Sequence, residues 1–108
     1  MDAVLQALSD PNRRTVLLAL SDGPATVGEL AALLPIARPG VSRHLRILRE
    51  VGLVEVNRSA QFRIYRLRPE PLAELDEWLG HYRSLWQQRI DALQVEVTRG
   101  KKGRGREQ

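Results

Sequence analysis

The sequence predicts a mainly α-helical domain with one small β-hairpin. Apolar residues recur at helical spacing in five segments, and proline and glycine residues separate these segments from one another. Two short runs rich in β-branched and aromatic residues, LVEV at 53–56 and FRIYRL at 62–67, lie between the last two helical segments and predict paired strands. The length of 108 residues and the hydrophobic fraction of 43% suit one globular domain.

The first two helices have boundaries that can be read from single residues. Residues 3–8 suit a short first helix. Ser9 or Asp10 is placed to cap a second helix, and Pro11 fits its first turn, where the missing N–H costs nothing. The second helix ends at the turn sequence SDGP, residues 21–24.

The third and fourth helices are close together in the chain. Thr26 and Glu29 have the spacing of a capping box, which predicts the start of the third helix, and Pro35 stops it. After only a few residues, Pro39 begins the fourth helix, and Gly52 is placed to end it. This spacing predicts two helices joined by a tight turn.

The last predicted helix, residues 71–97, follows the hairpin and carries a narrow apolar seam typical of a helix–helix contact. Its seam residues are Leu72, Leu75, Leu79, Tyr82, Trp86, Ile90, Leu93 and Val97. Two short helices joined by a tight turn and followed by a β-hairpin predict a winged helix-turn-helix. Residues 1–98 would form this domain, and the Gly-rich, charged residues 99–108 would be a basic, disordered tail.

Positive charge is concentrated in one third of the chain. The net charge is +4, but residues 38–68 contain eight arginines against only two acids, Glu50 and Glu55. Such a concentrated basic block favours a surface directed at a polyanion over general charge on the surface. The fourth helix and the hairpin both lie in this block.

The fourth helix is predicted to have one buried and one basic face. With Leu45 at the centre of the buried side and Val41 and Leu48 beside it, the helical repeat determines the opposite face. The residues predicted to face away from the core are Pro39, Gly40, Arg43, Arg46, Ile47 and Glu50, with Ser42 and His44 at the flanks. An α-helix of this kind fits the major groove of DNA.

The arginines of this helix are not predicted to share one role. Arg43 is the first choice for reading bases, because a guanidinium pairs bidentately with guanine. Arg46, Ser42 and His44 suit phosphate contacts, which position a protein on DNA without specifying sequence. Arg49 lies near the buried edge and is interpreted as structural. The alternative is a solvated helix whose arginines pair with acids, but few acids are nearby.

The hairpin adds more arginines. Arg58 and Gln61 fall in the predicted turn, and Arg63 follows on the second strand, where arginine can reach a minor groove or phosphates. For Arg66 and Arg68, a role in keeping the hairpin soluble is at least as good an explanation. The complete set of predicted DNA-binding residues is Arg38, Pro39, Gly40, Ser42, Arg43, His44, Arg46, Arg58, Gln61 and Arg63.

The segments ALSDPNRRTVLLAL, TVGELAALL, RPGVSRHLRILREVGLVEV and FRIYRL, in this order, resemble the ArsR/SmtB family of bacterial winged-helix repressors. The resemblance covers roughly residues 3–68, and the long last helix is in the matching place. It implies a recognition helix at 39–51, release from the operator by an inducing ligand or metal, and a homodimer formed by the first and last helices. The implied interface residues are Leu5, Leu72, Leu75, Leu79, Tyr82, Trp86, Ile90 and Leu93.

Three departures from that family pattern have structural consequences. Ala31 and Ala32 occupy the helix where metal-sensing members often carry cysteine, and the chain has no cysteine. Ala37 stands where many members have a capping serine or threonine, a loss worth about 1 kcal/mol. The wing turn NRSAQ, residues 57–61, lacks the glycine often found there, so Asn57 is predicted to adopt the left-handed conformation.

Two features of the last helix have alternative interpretations. Glu77 and His81 lie four residues apart and could share a metal, but such a pair is more often a surface interaction, and no metal site is predicted. Trp78, Tyr82 and Trp86 form an aromatic column that favours dimer packing. The alternative is an apolar effector pocket between this helix and the DNA-binding body.

Spacing, charge and the family resemblance together predict a cytoplasmic, homodimeric repressor that binds double-stranded DNA at a palindromic operator. Alternatives are a metal- or small-ligand-gated sensor that uses the last helix, and a winged helix that binds an acidic protein. Catalysis and a cofactor are not expected, because two isolated histidines and no cysteine provide no nucleophile–base pair. No membrane association is expected, since no apolar run approaches ~20 residues and no secretory signal is visible.

Overall fold

The computed structural model describes residues 1–107, with side chains for residues 1–98. It confirms a mainly α-helical fold with a small antiparallel sheet. In chain order the elements are α1 (Asp2–Leu8), α2 (Pro11–Ser21), β1 (Ala25–Thr26), α3 (Val27–Ala31), α4 (Arg38–Glu50), β2 (Val54–Ser59), β3 (Phe62–Leu67) and α5 (Glu70–Glu107). The chain divides into two compact units, Met1–Leu75 and Asp76–Gln108.

Both predicted N-terminal caps are present. Asp10, rather than Ser9, caps α2, because its Oδ1 accepts hydrogen bonds from the backbone N–H of Asn12 at 2.8 Å and of Arg13 at 3.2 Å. At the start of α3, the Glu29 N–H donates to Thr26 Oγ1 at 3.2 Å and the Thr26 N–H donates to Glu29 Oε1 at 3.0 Å. The capping box is therefore confirmed.

The connection between α3 and α4 is longer than the sequence predicted. Helix α3 already ends at Ala31, and the backbone continues in turns through Leu33, whose side chain is exposed, and Leu34, which is buried. Ala37 then provides the extended N-cap of α4, with φ −69° and ψ 155°, and makes no side-chain cap hydrogen bond. The absence of a cap, predicted from the missing hydroxyl, is confirmed.

The core of the first unit is built around α4. Val41, Leu45 and Leu48 are at most 1% exposed, as their spacing predicted. Leu30 of α3 and Leu53, just before β2, are equally buried in the same cluster. Burying a leucine or valine side chain stabilises a fold by about 1.5–3 kcal/mol, so this stripe fixes which face of α4 stays outside.

The wing has three strands in the order β1-β3-β2, all antiparallel. The hairpin prediction is confirmed, but its turn is shorter than five residues, because Ser59 pairs with Phe62. Asn57 pairs with Ile64 inside the ladder, and the residue with positive φ is Ala60, at 55°. The prediction of a left-handed Asn57 is therefore wrong. The exposed strand ends are held by backbone pairing, which the hydrophobic pattern does not reveal.

Helix α5 begins at Glu70, one residue before the predicted start, and its bounds extend to Glu107. In the second unit, Trp78 and Tyr82 form a T-shaped ring pair with centroids 5.3 Å apart, and Arg83 Nη1 donates to Asp76 Oδ1 at 2.7 Å. The prediction of a disordered tail at 99–108 lies outside the residues described with side chains. Within the described part of the chain, no helix is long and apolar enough to cross a membrane.

Candidate nucleic-acid interface

The outer face of α4 is basic, whereas its inner face is packed in the core. Arg43 and Arg46 are exposed, as predicted from the helical repeat, and so are Pro39 and Ser42. Arg49 is exposed as well, so its interpretation as a structural residue at the buried edge is wrong. The cause is the angular position of Arg49, which follows Leu48 directly and points past the buried stripe towards β3.

Helix α4 and strand β3 enclose a basic groove of about 650 Å³. We use "basic groove" for this concavity alone. Its lining residues are Val27, Pro39, Ser42, Arg43, Arg46, Arg49, Arg63 and Tyr65. Five residues predicted separately from the helix and the hairpin, among them Arg43 and Arg63, thus meet on one surface.

A second concavity of about 370 Å³ continues this surface towards the wing tip. It shares Val27 and Arg63 with the basic groove and adds Arg38 and Gln61, two further predicted DNA-binding residues. Arg58 pairs with Arg63 across the hairpin and is exposed. The surface therefore runs from the start of α4 to the end of the wing.

No acidic side chain lines either concavity. Within residues 1–98, the ion pairs join Arg68 to Glu70, Arg83 to Asp76 and His44 to Asp10, and none includes an arginine of the basic groove. The alternative was a solvated helix whose arginines pair with nearby acids. Within the described residues, no arginine of α4 forms such a pair. An unneutralised row of guanidinium groups attracts polyanions.

His44 lies elsewhere than the sequence predicted. Its side chain is 15% exposed, its Nδ1 lies 3.2 Å from Arg13 Nη1, and its Nε2 lies 3.9 Å from Asp10 Oδ1. Because guanidinium groups only donate, Nδ1 must accept from Arg13, which leaves the Nε2 hydrogen facing Asp10. Arg13 Nε also donates to the Ala7 carbonyl at 2.6 Å. His44 therefore connects α4 to α1 and α2 and is not turned outward for a phosphate.

Asp10 and Arg13 support the position of His44, and sequence reasoning missed this role because both are distant from His44 in the chain. Arg13 is 31 positions away. Burial would raise the pKa of Asp10. The hydrogen bonds from the backbone of Arg13 and Asn12, together with the electrostatic effect of His44 and Arg13, outweigh burial and hold that pKa below its ordinary value. Asp10 is thus a stable carboxylate at the start of α2.

Two further positions on α4 differ from their predicted environment. Ile47 is half-buried and packs against the core, so its predicted outward position is wrong. Gly40 is half-buried, and a Cβ built there would lie 3.2 Å from Ile36 Cδ1. The absent side chain at Gly40 therefore makes room for Ile36. Its predicted outward position, open for close approach by DNA, is not what the structure shows.

Comparison with known proteins agrees with this geometry. A helix-turn-helix domain family matches residues 8–57. The chain is 45% identical over 74 residues to the HTH-type transcriptional regulator Rv2034 of Mycobacterium tuberculosis, covering 68% of this chain and 69% of that protein. It is 35% identical over 82 residues to the transcriptional repressor SdpR of Bacillus subtilis, covering 76% of this chain and 91% of that one.

Solved structures of similar proteins identify the family. The crystal structure of the ArsR family transcriptional regulator RHA00566 superposes with a TM-score of 0.72 at 36% identity, covering 80% of this chain and 94% of that chain. The chain belongs to the ArsR family. The transcriptional repressor BigR from Xylella fastidiosa is also similar, with a TM-score of 0.61, 34% identity, and coverage of 75% and 83%. The family predicted from the motifs is confirmed, and with it a DNA-binding, winged helix-turn-helix transcription regulator.

The residues that the ArsR resemblance placed at a dimer interface have different environments. Leu72 is half-buried and packs against the core of the first unit, which the apolar seam alone did not show. Leu75 and Ile90 are half-buried. The exposed members are Leu5, Leu79, Tyr82, Trp86 and Leu93. Their role in dimerisation stays a prediction.

Possible metal ligands in this ArsR-family protein are few. Glu77 and His81, the pair considered from the sequence, are both exposed on α5. Among the described residues, no three histidine, aspartate or glutamate side chains are grouped closely enough to hold a metal ion.

Proposed function

We propose that this ArsR-family protein is a cytoplasmic transcriptional repressor that binds a palindromic operator as a homodimer. The observation that carries the proposal is the meeting of α4 and the wing strand β3 in one basic groove with no lining acid. Similar proteins include repressors by name, among them SdpR of Bacillus subtilis and BigR of Xylella fastidiosa. A bacterial regulator of this type acts where the chromosome is, which supports the cytoplasm.

In this proposal α4 enters the major groove and the wing follows the phosphates. A major groove about 12 Å wide admits one α-helix, and the exposed face of α4 presents Arg43 and Arg46 to it. Arg43 is assigned to base reading, and Arg46 with Ser42 to phosphates. Arg38, Gln61, Arg58 and Arg63 extend the contact along the backbone.

The protein acts by binding and not by catalysis. Ser42 and Tyr65 are the hydroxyl-bearing residues that line the basic groove, and no histidine or carboxylate lines it beside them. A nucleophile needs a base within hydrogen-bond reach, and the lining residues of the groove offer none.

The experiment is footprinting on the protein's own promoter across a salt series, with wild type, Arg43→Ala and Arg66→Ala. One bidentate arginine–guanine pair is worth about 1–3 kcal/mol of discrimination, so Arg43→Ala should lose sequence preference by about tenfold or more. Arg66 is exposed on the outer side of β3 and does not line the basic groove, so it is the matched control. An unprotected promoter, or an unchanged sequence preference in Arg43→Ala, would contradict the proposal.

Homodimerisation is supported by the exposed apolar side chains of α5. Trp86 is 69% exposed and Tyr82 57%, and large aromatic side chains gain much from burial in an interface. A dimer would hold two α4 helices about 34 Å apart, one helical turn of DNA. Sedimentation of Trp86→Asp should show a monomer, whereas Leu18→Asp on α2, with a residue 73% exposed outside the seam, should leave the dimer intact. A dimeric Trp86→Asp protein contradicts this interface.

The family resemblance also implies that an effector controls DNA binding. In this alternative, a metal or a small ligand binds to α5. Thermal stabilisation by zinc, nickel or cobalt tests its metal form.

A further inference from the structure

The floor of the basic groove contains a tyrosine that the proposed function does not use. Tyr65 is 7% exposed and belongs to the hydrophobic core, yet it also lines the groove. Its hydroxyl has no hydrogen-bond partner among residues 1–98, and no polar side-chain atom there is both fully buried and unpaired. The Tyr65 hydroxyl is therefore not fully enclosed by the core, and Tyr65 lines the groove. Tyrosine hydroxyls in buried side chains usually have a partner.

Arginines line both walls of the groove to which Tyr65 contributes. Arg63 lies two residues before Tyr65 on β3, so both side chains point to the same face of the strand. Arg46 and Arg49 are three residues apart on α4 and line the opposite wall. None of the three arginines has an acidic partner within residues 1–98. The groove thus combines one recessed neutral donor with four cationic donors, these three arginines and Arg43.

We infer that Arg49, Arg63 and the Tyr65 hydroxyl, with Arg46 at the rim, form a binding site for one phosphate group. A phosphate offers several acceptor oxygens to donors that converge from different directions, and guanidinium forks match it bidentately. The base edges of a duplex do not reach a recessed floor, whereas backbone phosphates project from the duplex surface. The site gives Arg49 a binding role, which neither its sequence position nor the base-reading face of α4 indicated.

The phosphate has two possible sources that share this chemistry. The DNA backbone is the one we favour, because the same groove lies between the recognition helix and the wing, and in this respect the inference rests on the proposed function. A small phosphorylated molecule is the other source, since a groove of about 650 Å³ lies within the usual size range of ligand sites, about 300–1,000 Å³. A single phosphate site in the groove would then make effector and DNA compete.

The DNA arm of the test measures affinity for a duplex across a salt series by fluorescence anisotropy. Each phosphate neutralised contributes about 0.9 to the slope of log affinity against log salt, so Arg49→Gln should flatten the slope by about that amount. Tyr65→Phe removes a neutral donor and should weaken binding by about threefold to tenfold at every salt concentration, with an unchanged slope. Arg66→Gln, outside the groove, should match wild type in both quantities.

The small-molecule arm follows the arginine Nε–Hε signals by NMR while inorganic pyrophosphate is added. A saturable shift that Arg49→Gln abolishes supports the site with a small phosphorylated ligand as its source. A salt-slope change without that shift supports the DNA backbone. Wild-type slope and affinity in both Arg49→Gln and Tyr65→Phe, together with no saturable pyrophosphate shift, overturn the site. Circular dichroism melts of each variant confirm that the fold is retained.

The outcome for this site is separable from the outcome for the proposed function. The salt slope is measured equally well on a nonspecific duplex, so it does not need an operator. Absence of any sequence-preferring footprint would reject the operator-binding repressor and leave the slope and pyrophosphate results to decide the phosphate site.

Discussion

Replacing Asp10 tests how the recognition helix is connected to the rest of the fold. The Asp10 carboxylate accepts hydrogen bonds from the Asn12 N–H at 2.8 Å and the Arg13 N–H at 3.2 Å, and it lies 3.9 Å from His44 Nε2. We predict that Asp10→Ala lowers the free energy of unfolding by about 2 kcal/mol at neutral pH. Asp10→Asn should lower it by less than about 1 kcal/mol, because the amide keeps an oxygen acceptor.

The magnitude follows from the contacts. Loss of a helix N-cap costs about 0.5–2 kcal/mol, and the upper end applies because this carboxylate serves two backbone donors and faces two cationic or polarisable side chains. The side chain of Asp10 is 30% exposed, so solvent screens the electrostatic contribution of its charge to the free energy of unfolding. That contribution is the only one that Asp10→Asn removes. About 2 kcal/mol corresponds to a fall in Tm of roughly 8 °C or more for a unit of this size.

The pH dependence has a fixed sign. The folded-state pKa of Asp10 lies below its ordinary value of 3.8, so the ionised carboxylate stabilises the fold above that value and loses this contribution as pH falls through the folded-state pKa. Urea denaturation at equal protein concentration should show the difference between wild type and Asp10→Asn at about pH 6, and the difference should shrink as the pH falls below 3.8. An Asp10→Ala protein as stable as wild type, or a difference that persists undiminished in acid, would refute the reasoning.

Three further changes test the fold at α4 and the wing. Ala37→Ser supplies the missing cap of α4 and should raise the free energy of unfolding in urea by about 1 kcal/mol; no gain would mean that the cap geometry is not used. Ala60→Gly relieves the positive φ of 55° and should add about 0.5–1 kcal/mol in the same assay, whereas a loss would contradict the left-handed turn. Leu45→Ala opens a cavity beneath the recognition helix at a 1% exposed site and should cost about 2–5 kcal/mol, so a milder loss would argue against its central place in the core.

The features that could be predicted from sequence are those that a local pattern specifies. Helix caps depend on residues two or three positions apart, and Asp10 and the Thr26–Glu29 box are where those rules place them. The buried stripe of α4 follows from helical periodicity alone, and Leu45 at its centre is 1% exposed. The order of these elements, two helices joined by a turn and followed by a hairpin, predicted the fold class, and the family motifs agreed with it.

The features that were missed depend on neighbours distant in the chain. Ile47 lies on the side of α4 assigned to solvent, yet the first unit packs against it. Arg49 was placed at the buried edge by its angle on the helix, but β3 leaves a groove there. The short strand β1 pairs with Tyr65 and Ile64 through two residues only, too few for any periodicity to mark. In each case an element distant in the chain decided the environment of the residue.

His44 shows why this distinction matters for experiments on the DNA interface. From the helix angle it was a flanking residue suited to phosphate, and its loss from a DNA-binding assay would have been taken as a lost contact. In the fold it accepts a hydrogen bond from Arg13 at 3.2 Å beside the cap of α2. Removing His44 therefore disturbs the contacts that position α4 against α2. Weakened DNA binding in a His44 variant therefore reports on the position of α4. Variants of Arg43 report on contact itself, because that side chain is exposed and lines the basic groove.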